Sequence, residues 1–240
     1  MATHFLSKTG YIRGLQCTKS LYLSKFHSDL KDPLPEERRK RFAAGHTIGL
    51  RARDLFPGGT DATPSQFGRV KESIEFTASL IQQNTTVIYE PAFIYNDVLV
   101  YLDILVSTPK GWIAHEVKSS VNISSTYKND AALQYYVIKG SGLALIDFTM
   151  IHLNQSIAET NFNTDPKLIF QSTSLFDFCN DQLYFTESTI RSFRNVIAYP
   201  KMPQIEMGAQ CHQPYTCDFI GFCTNQKSEL QEGLFNQPEL

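Results

Sequence analysis

Asp103, in YLDILV, is followed thirteen residues later by Glu116 and then by Lys118, in IAHEVKSS. Successive side chains of a strand point to opposite faces, so Glu116 and Lys118 share one face. A hairpin turning through Pro109-Lys110-Gly111 brings Asp103 beside Glu116. Two neighbouring carboxylates repel each other unless a cation or a proton lies between them. Mg²⁺ or Mn²⁺ meets that need with oxygen ligands and keeps waters for chemistry. Lys118 is then placed to neutralise charge developing on a phosphorus centre or to orient the attacking water. The chemistry implied is metal-assisted phosphodiester hydrolysis. The plainer alternative is an exposed strand end with an ordinary Glu–Lys pair, which an E-x-K tripeptide alone does not exclude.

A second group of reactive side chains lies at the two ends of the chain. Cys211, Cys217 and Cys223 crowd the run CHQPYTCDFIGFC, and Cys17 stands far upstream in YIRGLQCTKSLYL. The C-terminal spacings are looser than the C-x2-C pairs of zinc ribbons. Four thiolates are the complement of a [4Fe–4S] cluster. Four cysteines also bind Zn²⁺ tetrahedrally and His212 is adjacent, so zinc is the competing reading and free thiols the third. Five cysteines do not suit a disulfide framework in a cytosolic chain. Cys179, among aromatic residues in LFDFCNDQLYF, reads as a buried core thiol.

These residues need elements to hold them. Ser7 can cap a helix running to about Phe26, with Cys17 inside it. A second helix is expected over about 36–55, stopped by Pro57-Gly58-Gly59, and it carries His46. Residues 67–83 read as a third helix. Residues 85–95, 98–107 and 112–118 are β-branched and aromatic, with turn signals between them, and predict a three-stranded meander. A helix over 130–139 closed by Gly140 follows, then strands over 143–153 and 168–175. Residues 178–198 predict a helix ended by Pro200 and Pro203. Helices, a meander, a crossover helix and further strands indicate an α/β domain with a mixed central sheet. The stretch 224–240 is polar and is expected to be loosely held.

The chain has 240 residues, 42% of them hydrophobic, enough for one large domain. No apolar run approaches the roughly 18 residues of a membrane span. The N-terminus, MATHFLSKTGYIRG, lacks an apolar signal core, so a soluble, cytoplasmic chain with no membrane partner is expected. A net charge of −2 argues against a generally basic nucleic-acid coat but allows a local basic lip. Arg38, Arg39, Lys40 and Arg41, with Arg51 and Arg53 further on, are candidates for that lip. A solvated helix face is the plainer reading of such a run.

Taken in order, these residues resemble the RecB-like branch of the PD-(D/E)XK nuclease superfamily, including the CRISPR-adaptation exonucleases that carry an iron–sulfur cluster. The resemblance runs over nearly the whole chain. It implies a PD-(D/E)XK, restriction-endonuclease-like mixed sheet flanked by helices, in a single domain over 1–240. An N-terminal helical part (1–60) would precede the nuclease core (85–175) and a cysteine clasp (200–225). It implies that His46, in FAAGHTIGLRARDLFPGG, binds the metal with Asp103 and Glu116. An imidazole beside two carboxylates favours Mn²⁺ tolerance over strict Mg²⁺ use. Asp103, Glu116, Lys118 and Gln134, in AALQYYVIK, would be catalytic. The family's tyrosine four residues after that glutamine is Ile138 here, which leaves its part to Tyr135 or Tyr136. Glu90, in IYEPAF, is a second-tier acid. Cys17, Cys211, Cys217 and Cys223 would hold a structural [4Fe–4S] cluster, although the C-terminal spacing departs from the commoner one.

The activity implied is Mg²⁺- or Mn²⁺-dependent exonucleolytic cleavage of DNA at single-stranded or frayed ends. Tyr215, Phe219 and Phe222 could stack bases, with core packing as the default for them. The competing readings are a non-catalytic nucleic-acid-binding module and a zinc-stabilised interaction protein. Relatives can carry further domains after the clasp, which leaves room for a protein partner or an additional domain.

Overall fold

The computed structural model describes residues 5–63, 69–155, 164–199 and 201–226. Phe67, Pro200 and the stretch from 227 onward lie outside them. The chain divides into two compact units, Met1–Lys8 with Arg39–Thr189, and Thr9–Arg38 with Ile190–Leu240. Asp103, Glu116 and Lys118 belong to the first and the four terminal-segment cysteines to the second. Among the described residues no helix is long and apolar enough to cross a membrane.

The first unit is a mixed α/β structure. Its strands are β1 (Leu6–Ser7), β2 (Thr60–Asp61), β3 (Val87–Tyr89), β4 (Ala92–Tyr95), β5 (Val98–Tyr101), β6 (Ile104–Thr108), β7 (Gly111–Lys118), β8 (Leu145–Leu153) and β9 (Phe170–Ser174). They form two sheets, one ordered β1-β5-β4 and the other β2-β3-β6-β7-β8-β9. The expected meander is therefore cut in two. Its first strand breaks at Glu90-Pro91, where Glu90 has a φ of 51°, a left-handed conformation costly for a residue with a Cβ. Its second strand breaks at Leu102-Asp103. The two breaks face each other: the Glu90 amide donates to the Asp103 carbonyl and the Leu102 amide to the Pro91 carbonyl, both at 3.0 Å. The β4–β5 hairpin turns on Asn96 and Asp97, both with positive φ, as a two-residue primed turn requires.

The helices of this unit are α3 (Glu36–Ala52, from Arg39 on), α4 (Val70–Gln82), α5 (Ser125–Gly140), α6 (Pro166–Ile169), α7 (Phe176–Asp181) and the start of α8 (Leu183–Ala198). The expected helix over 36–55 ends in a 3₁₀ turn at Arg53–Leu55, and the one over 178–198 is split at Gln182. The helix expected over 130–139 starts five residues earlier, because Ser124 caps it through a bond accepted from the Tyr127 amide. α5 links β7 to β8, which run parallel, and its residues from Asp130 to Ile138 are all buried. The opposite face of the larger sheet packs Ile104, Val117 and Ile151 against Ile48 and Ala52 of α3. One face of β7 thus meets α3 and the other meets α5.

In the second unit, α1 (Lys8–Gln16, from Thr9 on) and α2 (Thr18–Phe26) replace the single helix expected over 7–26. Cys17 is extended between them, with φ −162° and ψ 118°. Tertiary bonds lie beside the break. The Gln16 side chain donates to the carbonyls of Gln210 and Tyr215, at 2.7 and 2.6 Å. Residues 220–226 are helical.

Candidate active site

The register of β6 against β7 pairs Ile104 with His115, so Asp103 continues it opposite Glu116. Asp103 Oδ2 accepts from the Val117 amide at 2.6 Å, which fixes the carboxylate across the pair. Glu116 is buried, and its Oε1 accepts from Lys118 Nζ at 2.5 Å. Three groups meet on the α5 face of β7, as strand alternation requires for Asp103, Glu116 and Lys118.

Two further residues belong to this cluster. Lys8, the first residue of α1 directly after β1, donates to the same Glu116 Oε1 at 2.9 Å. Asp130, on α5, accepts from Lys118 at 2.6 Å and lies 3.9 Å from Lys8. Asp130 has a signal in the sequence: it precedes Gln134 by one helical turn, and positions four apart share a helix face. Gln134 Nε2 donates to Asp130 Oδ1 at 3.2 Å, so the glutamine acts on the lysine through Asp130. Lys8 has no such signal, since it comes from the far end of the chain. Two buried oxygens in the cluster, Glu116 Oε2 and Gln134 Oε1, have no hydrogen-bond partner.

Electrostatics divide the two acids. Burial raises the Asp103 carboxyl, the Glu116 anion raises it further, and it reaches about 8. Burial acts on Glu116 in the same direction, but the Lys118 and Lys8 ammonium groups outweigh it and hold Glu116 below the usual carboxylate range. Lys118 is held well above its ordinary value by Asp130 and Glu116, against the pull of burial. Burial and the Glu116 anion thus favour the protonated form of Asp103, and the two lysines favour the anion of Glu116.

This arrangement sets a pH dependence of stability. An acid whose pKa is higher in the folded chain stabilises it at low pH, and that contribution is lost as pH rises through the folded value. Asp103 is therefore expected to withdraw stability between about pH 4 and pH 8. His115, buried with its pKa lowered to about 4, works oppositely and withdraws stability as pH falls below its ordinary value. Denaturant melts of the wild type and Asp103→Asn in EDTA at pH 5 and pH 8 separate the two. The wild type should lose stability relative to the variant at the higher pH, and parallel behaviour would contradict the raised Asp103 pKa.

The other expected site residues lie further out. His46 is exposed on α3, two residues before Ile48, which packs on the opposite face of the sheet from Glu116. A Cβ on its neighbour Gly45 would lie 3.8 Å from Ser119 Oγ, so α3 passes the C-terminal end of β7 at this point. Glu90 pairs with Arg53 at 3.1 Å, and burial raises its carboxyl. Tyr135 is buried against Phe148 and Phe176 and its hydroxyl donates to Asn180, while Tyr136 contacts Tyr95 and its hydroxyl accepts from Asn96. Of the basic run, Arg38 pairs with Asp218, Arg51 with Asp54, and Arg53 with Asp61 and Glu90.

In the second unit, Cys17, Cys211, Cys217 and Cys223 all line one cavity, together with Ser20, Leu23, Met207 and Phe219. Burial raises the thiols of Cys17 and Cys223, and the neighbouring thiols add to the effect on each. The Cys217 amide donates to the Cys211 carbonyl at 2.8 Å, and Asp218 bridges Arg13 and Arg38, at 2.5 Å each. Phe219 is fully buried, which removes it as a base-stacking candidate, while Tyr215 is exposed. Cys179 is fully buried in the first unit and its thiol is pushed up to about 12. Among the described residues no three His, Cys, Asp or Glu side chains are grouped so as to hold a metal ion as they stand. The four cysteines share a cavity without converging on one point.

No protein-family model matches the sequence, and no curated protein matches it. Among solved structures the chain is similar to one titled "Crystal structure of SSO0001", at 10% sequence identity and a TM-score of 0.40, over 83% of this chain and 78% of that one. The likeness is too slight to bear on the residues of the site.

Proposed function

We propose that the chain is a divalent-metal-dependent nuclease of the PD-(D/E)XK kind, hydrolysing DNA phosphodiester bonds at single-stranded or frayed ends. The observation that carries this reading is the Asp103–Glu116–Lys118 cluster on adjacent strands, with Lys118 bonded to Glu116 while Glu116 Oε2 stays buried and unpartnered. A buried anionic oxygen without a partner is costly. A cation ligated through that oxygen would remove the cost, so the two carboxylates fit Mg²⁺ or Mn²⁺. His46 is the third donor implied by the resemblance, and it would have to reach the acids from α3. When bound, the ion would supply Lewis-acid polarisation of the phosphate and lower the pKa of a water.

The remaining chemistry belongs to the chain. Gln134 holds Asp130, Asp130 holds Lys118, and Lys118 keeps its proton beside the oxygen that would ligate the ion. A fixed ammonium at that point opposes charge developing on the scissile phosphate. Lys118→Met is expected to lower turnover at saturating metal by on the order of 10²-fold to 10³-fold. Single-turnover kinetics check this, and unchanged turnover would remove Lys118 from the chemistry.

The same reading gives Cys17, Cys211, Cys217 and Cys223 a structural [4Fe–4S] cluster, with Zn²⁺ as the alternative occupant. The test of the activity is cleavage of end-labelled single-stranded DNA with Mn²⁺, Mg²⁺ or EDTA, with Asp103→Asn as the inactive control. Binding without cleavage in either ion would favour a non-catalytic nucleic-acid-binding module.

A further inference from the structure

We infer that Lys8 is an internal counter-ion of the acidic site, occupying Glu116 in the metal-free chain and competing there with the divalent cation. The inference rests on the metal-dependent reading of the same site. Glu116 Oε1 receives two ammonium groups, at 2.5 Å from Lys118 and 2.9 Å from Lys8, with Asp130 as the second anion beside them. The two lysines are not held equally. Lys118 lies on the eight-residue strand β7 and is bonded to Asp130 at 2.6 Å as well. Lys8 is the first residue of α1, directly after the two-residue strand β1, and it stands 3.9 Å from Asp130, beyond hydrogen-bonding distance. Its side chain is also the more exposed, at 29% against 16%. Lys8 is therefore the cation that can leave. A divalent ion arriving at Glu116 meets an ammonium within bonding distance of the same carboxylate, and like charges so close disfavour each other strongly at low dielectric.

This assigns Lys8 a role distinct from that of Lys118. Lys118 stays and acts on the reacting phosphate, whereas Lys8 sets how much metal is needed. Lys8 is a positioning residue and not a catalytic one.

Calorimetric titration of Mn²⁺ into the purified full chain tests the inference without relying on activity. Lys8→Met removes the charge and keeps the chain length, and it should bind Mn²⁺ roughly tenfold more tightly than the wild type, within the usual range of site-to-site coupling. Lys8→Arg keeps the charge and should stay near the wild-type affinity. Metal-free Lys8→Met should melt lower than the wild type, and saturating Mn²⁺ should close that gap. Lys8→Gln, which retains a hydrogen-bond donor, repeats the measurement if the methionine variant does not fold. Equal Mn²⁺ affinity in the wild type and the neutral variants overturns the inference and leaves the nuclease reading standing. Absence of Mn²⁺ binding in all of them overturns both. Mn²⁺ binding that appears only when Lys8 is neutral supports the competition directly.

Discussion

Asp103→Asn and Glu116→Gln should each lower metal-dependent cleavage of single-stranded DNA by on the order of 10³-fold or more, since each removes an anionic ligand from the same ion. The structure distinguishes the two variants in every other respect. Asp103 accepts a backbone bond from Val117, and an asparagine oxygen can still accept it. Its carboxyl is already raised to about 8, so a neutral side chain suits the metal-free fold. Asp103→Asn is expected to fold as well as the wild type and to melt at least as high near pH 8. Glu116 is the anion beneath Lys8 and Lys118, and its loss leaves two half-buried ammonium groups with Asp130 alone. Stranding a fully buried charge costs about 3–5 kcal/mol, and these partly exposed lysines, which keep Asp130, should lose less than that. Glu116→Gln should therefore lose both activity and stability, and Glu116→Ala more of the latter. The measurements are end-labelled DNA cleavage with Mn²⁺ and thermal melts of the same preparations. Full activity in both amide variants, with contaminating nuclease excluded, would place any hydrolytic chemistry at other residues.

The part of this site that could be read from the sequence was the part built by one hairpin. Alternation fixes the common face of Glu116 and Lys118, and a short turn fixes Asp103 opposite them; both are local consequences of strand geometry. The mixed α/β character followed in the same way from the succession of periodic segments. What the sequence did not show depends on distant contacts. Lys8 lies 108 positions from Glu116, and nothing in its neighbourhood marks it as a partner. The meander looked like continuous strands because its apolar pattern runs unbroken through Tyr89, Ala92, Val100 and Leu105. The breaks come from a left-handed Glu90 and a backbone exchange between residues 90–91 and 102–103, which no periodicity records. Cys17 likewise sat within a helical pattern, and its extended backbone lies beside a Gln16 whose side-chain amide bonds the distant Gln210 and Tyr215 carbonyls. Tertiary bonds of this kind override propensity, which is worth only about 0.7 kcal/mol per ordinary residue. His46 illustrates the converse. Its place in the order of motifs is clear, but order says nothing of which face its helix presents, and Ile48 and Ala52 turn α3 onto the face away from the acids.

Protein purified without oxygen is expected to be brown, carrying iron and acid-labile sulfide in near-equal amounts, about four of each per chain. The four thiols of the second unit already line one cavity, and two of them are raised in part by their neighbours. Loading the cavity would draw them together from their present spread. Part of the frame stands without the thiols: Asp218 holds Arg13 and Arg38, the Asp32 carboxylate accepts from the Gly221 amide at 3.0 Å, and Gln16 holds two tail carbonyls. A single substitution at Cys17, Cys211, Cys217 or Cys223 should therefore bleach the protein without preventing its expression. It should lower the melting temperature by on the order of 5–10 °C, because binding energy shared among ligands from separate segments is also folding energy. Cys179→Ala should keep the colour, since that thiol is fully buried in the other unit. Its cost is that of a small buried side chain, about 1 kcal/mol. Iron and sulfide analysis, visible absorption and melting curves across the five variants decide the matter. Colourless wild-type protein with one zinc per chain would put zinc in the cavity, and bleaching by Cys179→Ala would mean that the ligand set includes a thiol outside it.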